Sequence, residues 1–230
     1  MRAAVLAGGL GTRMRPYTTV LPKPLVPVGD RPILELIFAW LARYGVTRVD
    51  VCTGHLAELI QTYFSQARTI PEGLEVSWHR ESEPMGTAGA LRLLPAVDET
   101  MLVVNGDIVT DLDPAPMLAF HRAREAALTI ATRRTEVATE LGVIEHRDGE
   151  VTGYLEKPVL EYSASMGIYL YEPRVLTDLP DGPLQFPELV VSLLARGERV
   201  AAYASTAEWH HVGTLAQHTE ASEKLGQRAT

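Results

Sequence analysis

Segments with two different periodicities of apolar and polar residues alternate along the chain. Short apolar or alternating runs predict strands over residues 3–7, 48–53, 74–79, 101–104, 127–133, 142–146 and 151–155. Apolar residues at three- and four-residue spacing predict helices over residues 33–44, 57–66, 86–94, 114–126, 184–196 and 215–224. Asp113 followed by Pro114 predicts a helix start, and Asp148-Gly149 is typical of a hairpin turn. Gly45 stands where the cap of the first helix belongs.

This order of elements predicts an α/β fold with a Rossmann-like, mostly parallel sheet flanked by helices on both faces. The chain has 230 residues, of which 46% are hydrophobic, and this is enough for one substantial core. We therefore expect a single domain over residues 1–230.

Charge and composition exclude several classes of protein. A formal net charge of −8 argues against a nucleic-acid-binding surface. Cys52 is the one cysteine, so no disulfide framework is expected and a reducing compartment fits. No run approaches the roughly 20 apolar residues of a membrane helix, and the apolar stretch 3–7 is shorter than a signal-peptide core. We expect a cytoplasmic protein that binds neither membrane nor nucleic acid.

A glycine-rich segment with nearby cations follows the first predicted strand. Residues 8–24 read Gly-Gly-Leu-Gly-Thr-Arg-Met-Arg-Pro-Tyr-Thr-Thr-Val-Leu-Pro-Lys-Pro. Glycines let backbone N–H groups approach an anion, and cationic side chains then neutralise its charge. Thr12 stands where a Walker A loop needs lysine, and Met14 stands where a dinucleotide fingerprint needs glycine. The segment predicts a different kind of phosphate site, suited to a nucleoside triphosphate.

Residues 8–25 resemble the opening signature of the sugar-phosphate nucleotidylyltransferases, Gly-Gly-x-Gly-Thr-Arg-Leu-x-Pro followed by Pro-Lys-Pro-Leu. The resemblance extends from Arg2 to about His218 and implies a fold of the nucleotide-diphospho-sugar transferase type. It implies a nucleotide-binding half over residues 1–112 and a sugar-phosphate-binding half over residues 113–230, with no C-terminal β-helix. The implied reaction joins a nucleoside triphosphate to a sugar 1-phosphate and releases pyrophosphate.

The resemblance also implies the residues that contact the nucleotide. They are Leu6, Ala7, Gly8, Gly9, Gly11, Thr12, Arg13, Lys23, Pro84, Gly86, Thr87 and Asp107. Arg13 and Lys23 are the expected catalytic residues. Arg13 would stabilise the departing pyrophosphate, and Lys23 would neutralise charge at the α-phosphate.

Asp107 and His211 are the expected metal ligands. Asp107 ends a buried strand, and the family carries its metal-binding aspartate in this Gly-Asp pair, where Mg²⁺ takes few protein ligands and several phosphate oxygens. His211 stands where the family commonly has a second metal-binding aspartate. Imidazole suits Mn²⁺, Co²⁺ or Zn²⁺ better than Mg²⁺. Three alternatives stay open: His211 ligates a softer metal, it lies near the phosphates while Asp107 alone holds Mg²⁺, or it marks a site with reduced catalysis.

The second half matches the family at its sugar-phosphate motifs. The resemblance implies that Lys157 contacts the sugar phosphate, that Glu156 contacts sugar hydroxyls and that Gly142 approaches the sugar by its backbone. Ser165 replaces the asparagine that usually makes a further sugar contact.

Residues 81–90 resemble the base-binding segment of mannose-1-phosphate and heptose-1-phosphate guanylyltransferases, which favours GTP over UTP, dTTP, ATP and CTP. Two other functions stay open. One is a catalytically weak nucleotide-sugar-binding regulatory protein, and the other is nucleotidyl transfer to a non-sugar phosphate, a phosphonate or a cyclitol phosphate. The sequence leaves the oligomeric state open and is compatible with a homo-oligomer.

Overall fold

The computed structural model describes residues 1–226, which form thirteen strands and seven α-helices. The strands are β1 (Arg2–Ala7), β2 (Pro27–Val28), β3 (Arg31–Pro32), β4 (Arg48–Thr53), β5 (Glu75–Arg80), β6 (Met101–Asn105), β7 (Ile108–Thr110), β8 (Leu128–Ala138), β9 (Val143–Arg147), β10 (Glu150–Leu155), β11 (Val159–Tyr171), β12 (Val200–Ala204) and β13 (Trp209–His211). The helices are α1 (Ile33–Arg43), α2 (Ala57–Ala67), α3 (Gly86–Gly89), α4 (Pro114–Ala123), α5 (Pro173–Thr177), α6 (Phe186–Ala195) and α7 (Leu215–Gly226).

A seven-stranded sheet with the order β12-β8-β11-β6-β1-β4-β5 forms the centre of the fold. All neighbouring strands in it run parallel except β11, which is antiparallel to both β6 and β8. Three two-stranded ribbons, β2–β3, β7–β13 and β9–β10, lie outside it. The predicted α/β fold with a mostly parallel sheet is thus confirmed.

Both faces of the central sheet are buried at β1. Ala3 and Val5 of β1 point into one hydrophobic cluster, together with Phe38 of α1. Ala4, between them, points into the other cluster, together with Leu189 of α6. A strand buried on both faces needs an unbroken apolar run, and β1 has one. Among residues 1–226, no helix has the length and apolar character needed to cross a bilayer.

Most predicted elements are present, and their boundaries shift by a few residues. The strand over residues 48–53 matches β4, and Asp113 caps α4 by accepting a hydrogen bond from Ala115 N at 2.8 Å. The predicted helix over residues 114–126 is wrong at its end, because α4 stops at Ala123.

Two strands of the central sheet were not predicted from the sequence, β11 and β12. β11 is the longest strand, but its first half is mostly exposed, and a bulge between Ser165 and Tyr169 interrupts its register with β8. Gly167, within the bulge, has φ of +72°, which breaks the alternation that marks a strand. β12 is mostly half-buried and lies at the sheet edge.

Candidate active site

The glycine-rich segment leaves the carboxyl end of β1 and folds into short 3₁₀ turns. Gly11 has φ of +62°, and a Cβ at this position would lie 2.9 Å from Thr18 Cγ2. The hydroxyl of Thr18 donates to Gly11 O at 2.8 Å and closes the loop on itself. Met14 is fully buried and anchors the loop to the core, whereas Arg13 and Arg15 are exposed. The loop therefore holds its backbone in place and leaves its cations accessible.

Gly8 is needed for a close approach between the loop and Glu81. A Cβ on Gly8 would lie 1.9 Å from Glu81 Oε1, so no larger residue fits without displacing that carboxylate. Glu81 in turn accepts a hydrogen bond from Met85 N at 3.0 Å. This packing joins the glycine-rich loop to the segment that precedes α3.

Two adjoining cavities lie at the carboxyl ends of β1 and β6, the position where open α/β sheets bind ligands. The first, which we call the loop cavity, has a volume of about 390 Å³. It is lined by Leu6, Ala7, Gly9, Leu10, Gly11, Thr12, Arg13, Lys23, Pro24, Thr87, Asn105, Gly106, Asp107 and Gly213. Most of the residues expected to contact the nucleotide, including both expected catalytic residues, therefore meet in one cavity.

The second cavity, which we call the outer cavity, has a volume of about 480 Å³. It is lined by Leu6, Gly8, Gly9, Leu10, Gly54, His55, Arg80, Glu81, Ser82, Glu83, Pro84, Gly86, Thr87, Ala90 and Gln185. It shares Leu6, Gly9, Leu10 and Thr87 with the loop cavity and contains the remaining expected nucleotide contacts, Gly8, Pro84 and Gly86. The two cavities together have room for a ligand with two chemically different ends.

Three ionisable side chains meet beside the loop cavity, where Lys23 and Asp107 belong to its lining and His211 contacts Asp107 from outside that lining. Lys23 Nζ lies 2.5 Å from Asp107 Oδ2, and His211 Nε2 lies 3.3 Å from the same oxygen. Burial alone would raise the pKa of the Asp107 carboxyl. A hydrogen bond from His211, together with the charge of Lys23 and its hydrogen bond, outweighs burial and lowers the pKa of Asp107 to about 2. Asp107 is thus a carboxylate at any physiological pH.

A ribbon that pairs a segment in the middle of the chain, β7, with β13 near its C-terminal end brings His211 to this cluster. His211 of β13 pairs with Ile108 of β7, and Val212 N donates to Asp107 O at 2.8 Å. The ring of His211 stacks on Trp209 with an interplanar angle of 17°. His210 points to the far side of the ribbon, where it lines a separate cavity of about 230 Å³ that contains none of the expected site residues.

The cluster has two side chains that could bind a divalent cation, Asp107 and His211. Asp107 Oδ1 is buried and has no hydrogen-bond partner, so this oxygen is available to bind a cation. Within residues 1–226, no group of three or more His, Cys, Asp or Glu side chains could hold a metal. Asp107 and His211 would therefore supply only part of a coordination shell, and substrate phosphates or water would supply the rest, as Mg²⁺ sites commonly allow.

The residues expected to contact the sugar phosphate lie elsewhere. In the described part of the chain, neither cavity is lined by Gly142, Glu156, Lys157 or Ser165. Glu156 and Lys157 are exposed at the end of β10, and Glu156 accepts a hydrogen bond from the hydroxyl of Tyr154 at 2.9 Å.

Gly142 belongs to this part of the fold, whereas Ser165 lies on β11. A Cβ on Gly142 would lie 2.1 Å from the Tyr154 hydroxyl, so Gly142 packs directly on that side chain. Ser165 is exposed at the bulge that interrupts the pairing of β11 with β8. Its side chain interacts with Tyr169, which also interacts with Asn105 of the loop cavity. Gly142, Glu156 and Lys157 therefore lie at the β9–β10 ribbon, outside the lining of the loop cavity, whereas Ser165 is linked to that cavity through Tyr169 and Asn105.

Gln185 was missed by the sequence analysis. Its side chain caps the start of α6 and reaches the outer cavity, where Gln185 Oε1 lies 3.4 Å from both the backbone nitrogen and the hydroxyl of Thr87. Phe186 N donates to the same hydroxyl at 2.9 Å. Thr87 and Gln185 are 98 residues apart, so no local pattern could have indicated this contact.

Comparison with known proteins adds to this geometry. The family model described as "Nucleotidyl transferase" matches residues 2–228. A UTP–glucose-1-phosphate uridylyltransferase of Synechocystis is 31% identical over 96% of this chain and 62% of its own length. A D-glycero-alpha-D-manno-heptose 1-phosphate guanylyltransferase of Aneurinibacillus thermoaerophilus is 32% identical over 74% of each chain.

The structural comparison agrees on the fold. The crystal structure of HddC from Yersinia pseudotuberculosis superposes with a TM-score of 0.76 at 24% identity, covering 97% of this chain and 99% of that one. The chain spans about six tenths of the length of the uridylyltransferase and of the mannose-1-phosphate guanylyltransferases that it matches. With a family match over nearly all its residues and a cavity built from the glycine-rich loop, this chain belongs to the nucleotidyl transferase family.

Proposed function

We propose that this protein transfers a nucleotidyl group from a nucleoside triphosphate to a sugar 1-phosphate and releases pyrophosphate. The observation that supports this most strongly is the loop cavity, where Arg13, Lys23 and Asp107 converge beside a glycine-rich backbone. Such a cavity offers backbone N–H groups, cations and a metal-binding carboxylate to one polyanion. The names of the relatives, which include guanylyl- and uridylyltransferases, agree with this reaction class.

The proposed chemistry needs positioning and charge neutralisation more than proton transfer. A phosphate oxygen of the sugar 1-phosphate attacks the α-phosphorus, and the bond from that phosphorus to the pyrophosphate oxygen breaks. The attacking phosphate is already an anion, so no general base is required. Arg13 would stabilise the charge that develops on pyrophosphate, and Lys23 would neutralise the α-phosphate. Lys23 would exchange its contact with Asp107 for one with the nucleotide.

We propose that Asp107 and His211 together hold a divalent cation when the nucleotide is bound. The unpartnered Oδ1 of Asp107 and the nearby imidazole support this assignment. The cation would draw the two anionic substrates together and reduce their repulsion. Because one ligand is an imidazole, we propose that Mn²⁺ supports the reaction at least as well as Mg²⁺.

The sugar phosphate would bind beside the β9–β10 ribbon. Lys157 would contact its phosphate, and Glu156 and Gly142 would contact the sugar. Ser165 would take the place of the asparagine that usually makes a further sugar contact in the family. Glu156 and Lys157 are exposed and therefore accessible to a ligand. This assignment requires the ribbon to approach the loop cavity when the second substrate binds.

GTP is our proposed nucleotide. Its support is the resemblance of residues 81–90 to guanylyltransferases and the guanylyltransferases among the relatives. Residues 81–84 and Gly86 line the outer cavity, which would hold the base. A uridylyltransferase among the relatives makes UTP the main competitor.

Pyrophosphate release tests the proposal. The five nucleoside triphosphates are each combined with a panel of sugar 1-phosphates, and also with a phosphonate and a cyclitol phosphate, in the presence of Mg²⁺ and of Mn²⁺. Arg13→Ala is the test variant and Arg15→Ala is its matched control, since both arginines are exposed in one loop but only Arg13 lines the loop cavity. We expect Arg13→Ala to lower kcat/KM by about 10²- to 10³-fold and Arg15→Ala to have a small effect.

The assay also separates the alternative functions. Nucleotide binding without pyrophosphate release across the panel would refute the proposed reaction and favour a nucleotide-sugar-binding regulatory protein. Turnover with a phosphonate or cyclitol phosphate, but with no sugar 1-phosphate, would show that the acceptor class is wrong.

A further inference from the structure

β8 is an interior strand over its first half and an edge strand over its second half. β12 pairs with residues 128–132 of β8, whereas β11 pairs with it as far as residue 138. Within residues 1–226, the stretch 133–138 therefore has a strand partner on one side only. Native proteins usually cover or block such an edge, because it can pair with another chain.

The open edge presents the backbone of Arg134 and Glu136. Thr132 O accepts a hydrogen bond from Ser205 N at 2.8 Å, so the backbone groups of Thr132 point toward the β12 side. Backbone groups alternate between the two sides of a strand. Those of Arg134 and Glu136 consequently point the same way, beyond the end of β12, and are available to a new strand.

The charges along this edge are self-complementary. In an antiparallel pair of two β8 strands with a two-fold axis at Thr135, each Arg134 stands opposite Glu136 of the other copy. The register within the chain places Glu136 directly opposite Glu161 of β11, and like charges in that position are unfavourable. Arg134 already contacts Glu161. A second Arg134, from the other copy, would neutralise the remaining carboxylate.

The opposite face of the same ribbon is apolar and exposed. Val137 of β8 and Leu160 of β11 are directly paired, and Tyr162 follows on the same face. Their exposures are 44%, 46% and 49%. A two-fold pairing would extend this apolar stripe across the axis, where the stem of Arg133 from one copy lies beside Val137 of the other.

We propose that this protein forms a two-fold homodimer in which residues 133–137 of β8 pair antiparallel with the same residues of a second copy. The edge supplies unpaired backbone groups, alternating charges that match only in this register, and an apolar stripe on one face. The proposal does not depend on the nucleotide chemistry.

Charge reversal tests the register. Wild-type protein should sediment at twice the chain mass of 25.2 kDa at micromolar concentration. Glu136→Arg and Arg134→Glu each place like charges opposite one another, so we expect each variant to raise the dimer dissociation constant at least about tenfold. Mixing the two variants places opposite charges together and should restore a heterodimer. Glu140→Arg, which makes the same charge change beyond the end of β8, is the matched control.

A cysteine cross-link tests the axis directly. The one native cysteine, Cys52, is buried, so background cross-linking is low. Thr135→Cys would place two thiols opposite each other in a non-hydrogen-bonded pair with Cα atoms about 4.5 Å apart, within disulfide range. Val137→Cys would place its thiols about 13 Å apart. We expect a disulfide-linked dimer from Thr135→Cys alone.

Three outcomes would overturn the proposal: a wild-type protein that stays monomeric at high micromolar concentration, a dimer that Glu136→Arg leaves unchanged, or equal cross-linking of the two cysteine variants. Circular dichroism of each variant shows whether a lost dimer reflects a lost fold.

Discussion

Replacing Asp107 with asparagine should destabilise the metal-free protein, because the carboxylate is held by Lys23 and His211. The pKa of Asp107 falls from 3.8 to about 2 in the folded state. Its side chain is only 19% exposed, so solvent screens these contacts weakly. The difference corresponds to about 2 kcal/mol of unfolding free energy at pH 7. Because the folded pKa is lowered, this stability is present above the unfolded pKa and is lost as the pH falls toward 2.

Urea unfolding followed by tryptophan fluorescence, in EDTA and without nucleotide, measures this effect. At pH 7 we expect Asp107→Asn to lose about 2 kcal/mol, and at pH 3 we expect its difference from wild type to be about half as large. Asp98→Asn, an exposed aspartate outside the site, is the control and should be neutral at both pH values. A variant as stable as wild type at pH 7, or a difference that does not change with pH, would refute this reasoning.

Three further predictions concern binding, metal choice and the core. Gln185→Ala removes the side chain that contacts Thr87, so we expect the KM for the nucleotide to rise several-fold while the KM for the sugar phosphate is unchanged. Steady-state kinetics with each substrate varied in turn checks this. Equal changes in both KM values would contradict it. His211→Asp replaces an imidazole donor with a carboxylate, so we expect the ratio of activity with Mn²⁺ to activity with Mg²⁺ to fall. Pyrophosphate release measures both activities. An unchanged ratio would show that His211 is not a ligand. Phe38→Ala opens a cavity beside Phe64 in the fully buried core, so we expect the free energy of unfolding in urea to fall by about 3–5 kcal/mol. A loss below about 1 kcal/mol would show that Phe38 is not tightly packed.

Much of the fold follows from local features of the sequence. The apolar run of β1 and the spacing of apolar residues in α1 each encode an element through its own periodicity. The cap at Asp113 and the turn at Asp148-Gly149 encode boundaries, because their backbone preferences act within a few residues. The same holds for the glycine-rich loop, whose glycines and cations lie within one short segment.

The features that were not predicted depend on contacts between residues far apart in the sequence. β11 is inserted between β6 and β8 and reverses the direction of the sheet at that point, which its mixed and partly exposed sequence does not encode. The contact of Gln185 with Thr87 joins residues 98 positions apart. In both cases strand pairing and helix packing decide the arrangement, and local propensity is too weak to indicate it.

The sequence alone was sufficient for the class of fold, the position of the glycine-rich loop and the identity of the expected ligands, because these depend on short-range periodicity and on a compact motif. The contact of Lys23 with Asp107, 84 residues away, and the approach of His211 to the same oxygen depend on the folded chain. Parallel pairing of β1 with β6 and the β7–β13 ribbon bring these side chains together. Their hydrogen bonds and charges lower the pKa of Asp107, and such coupling acts through distance in space rather than along the chain.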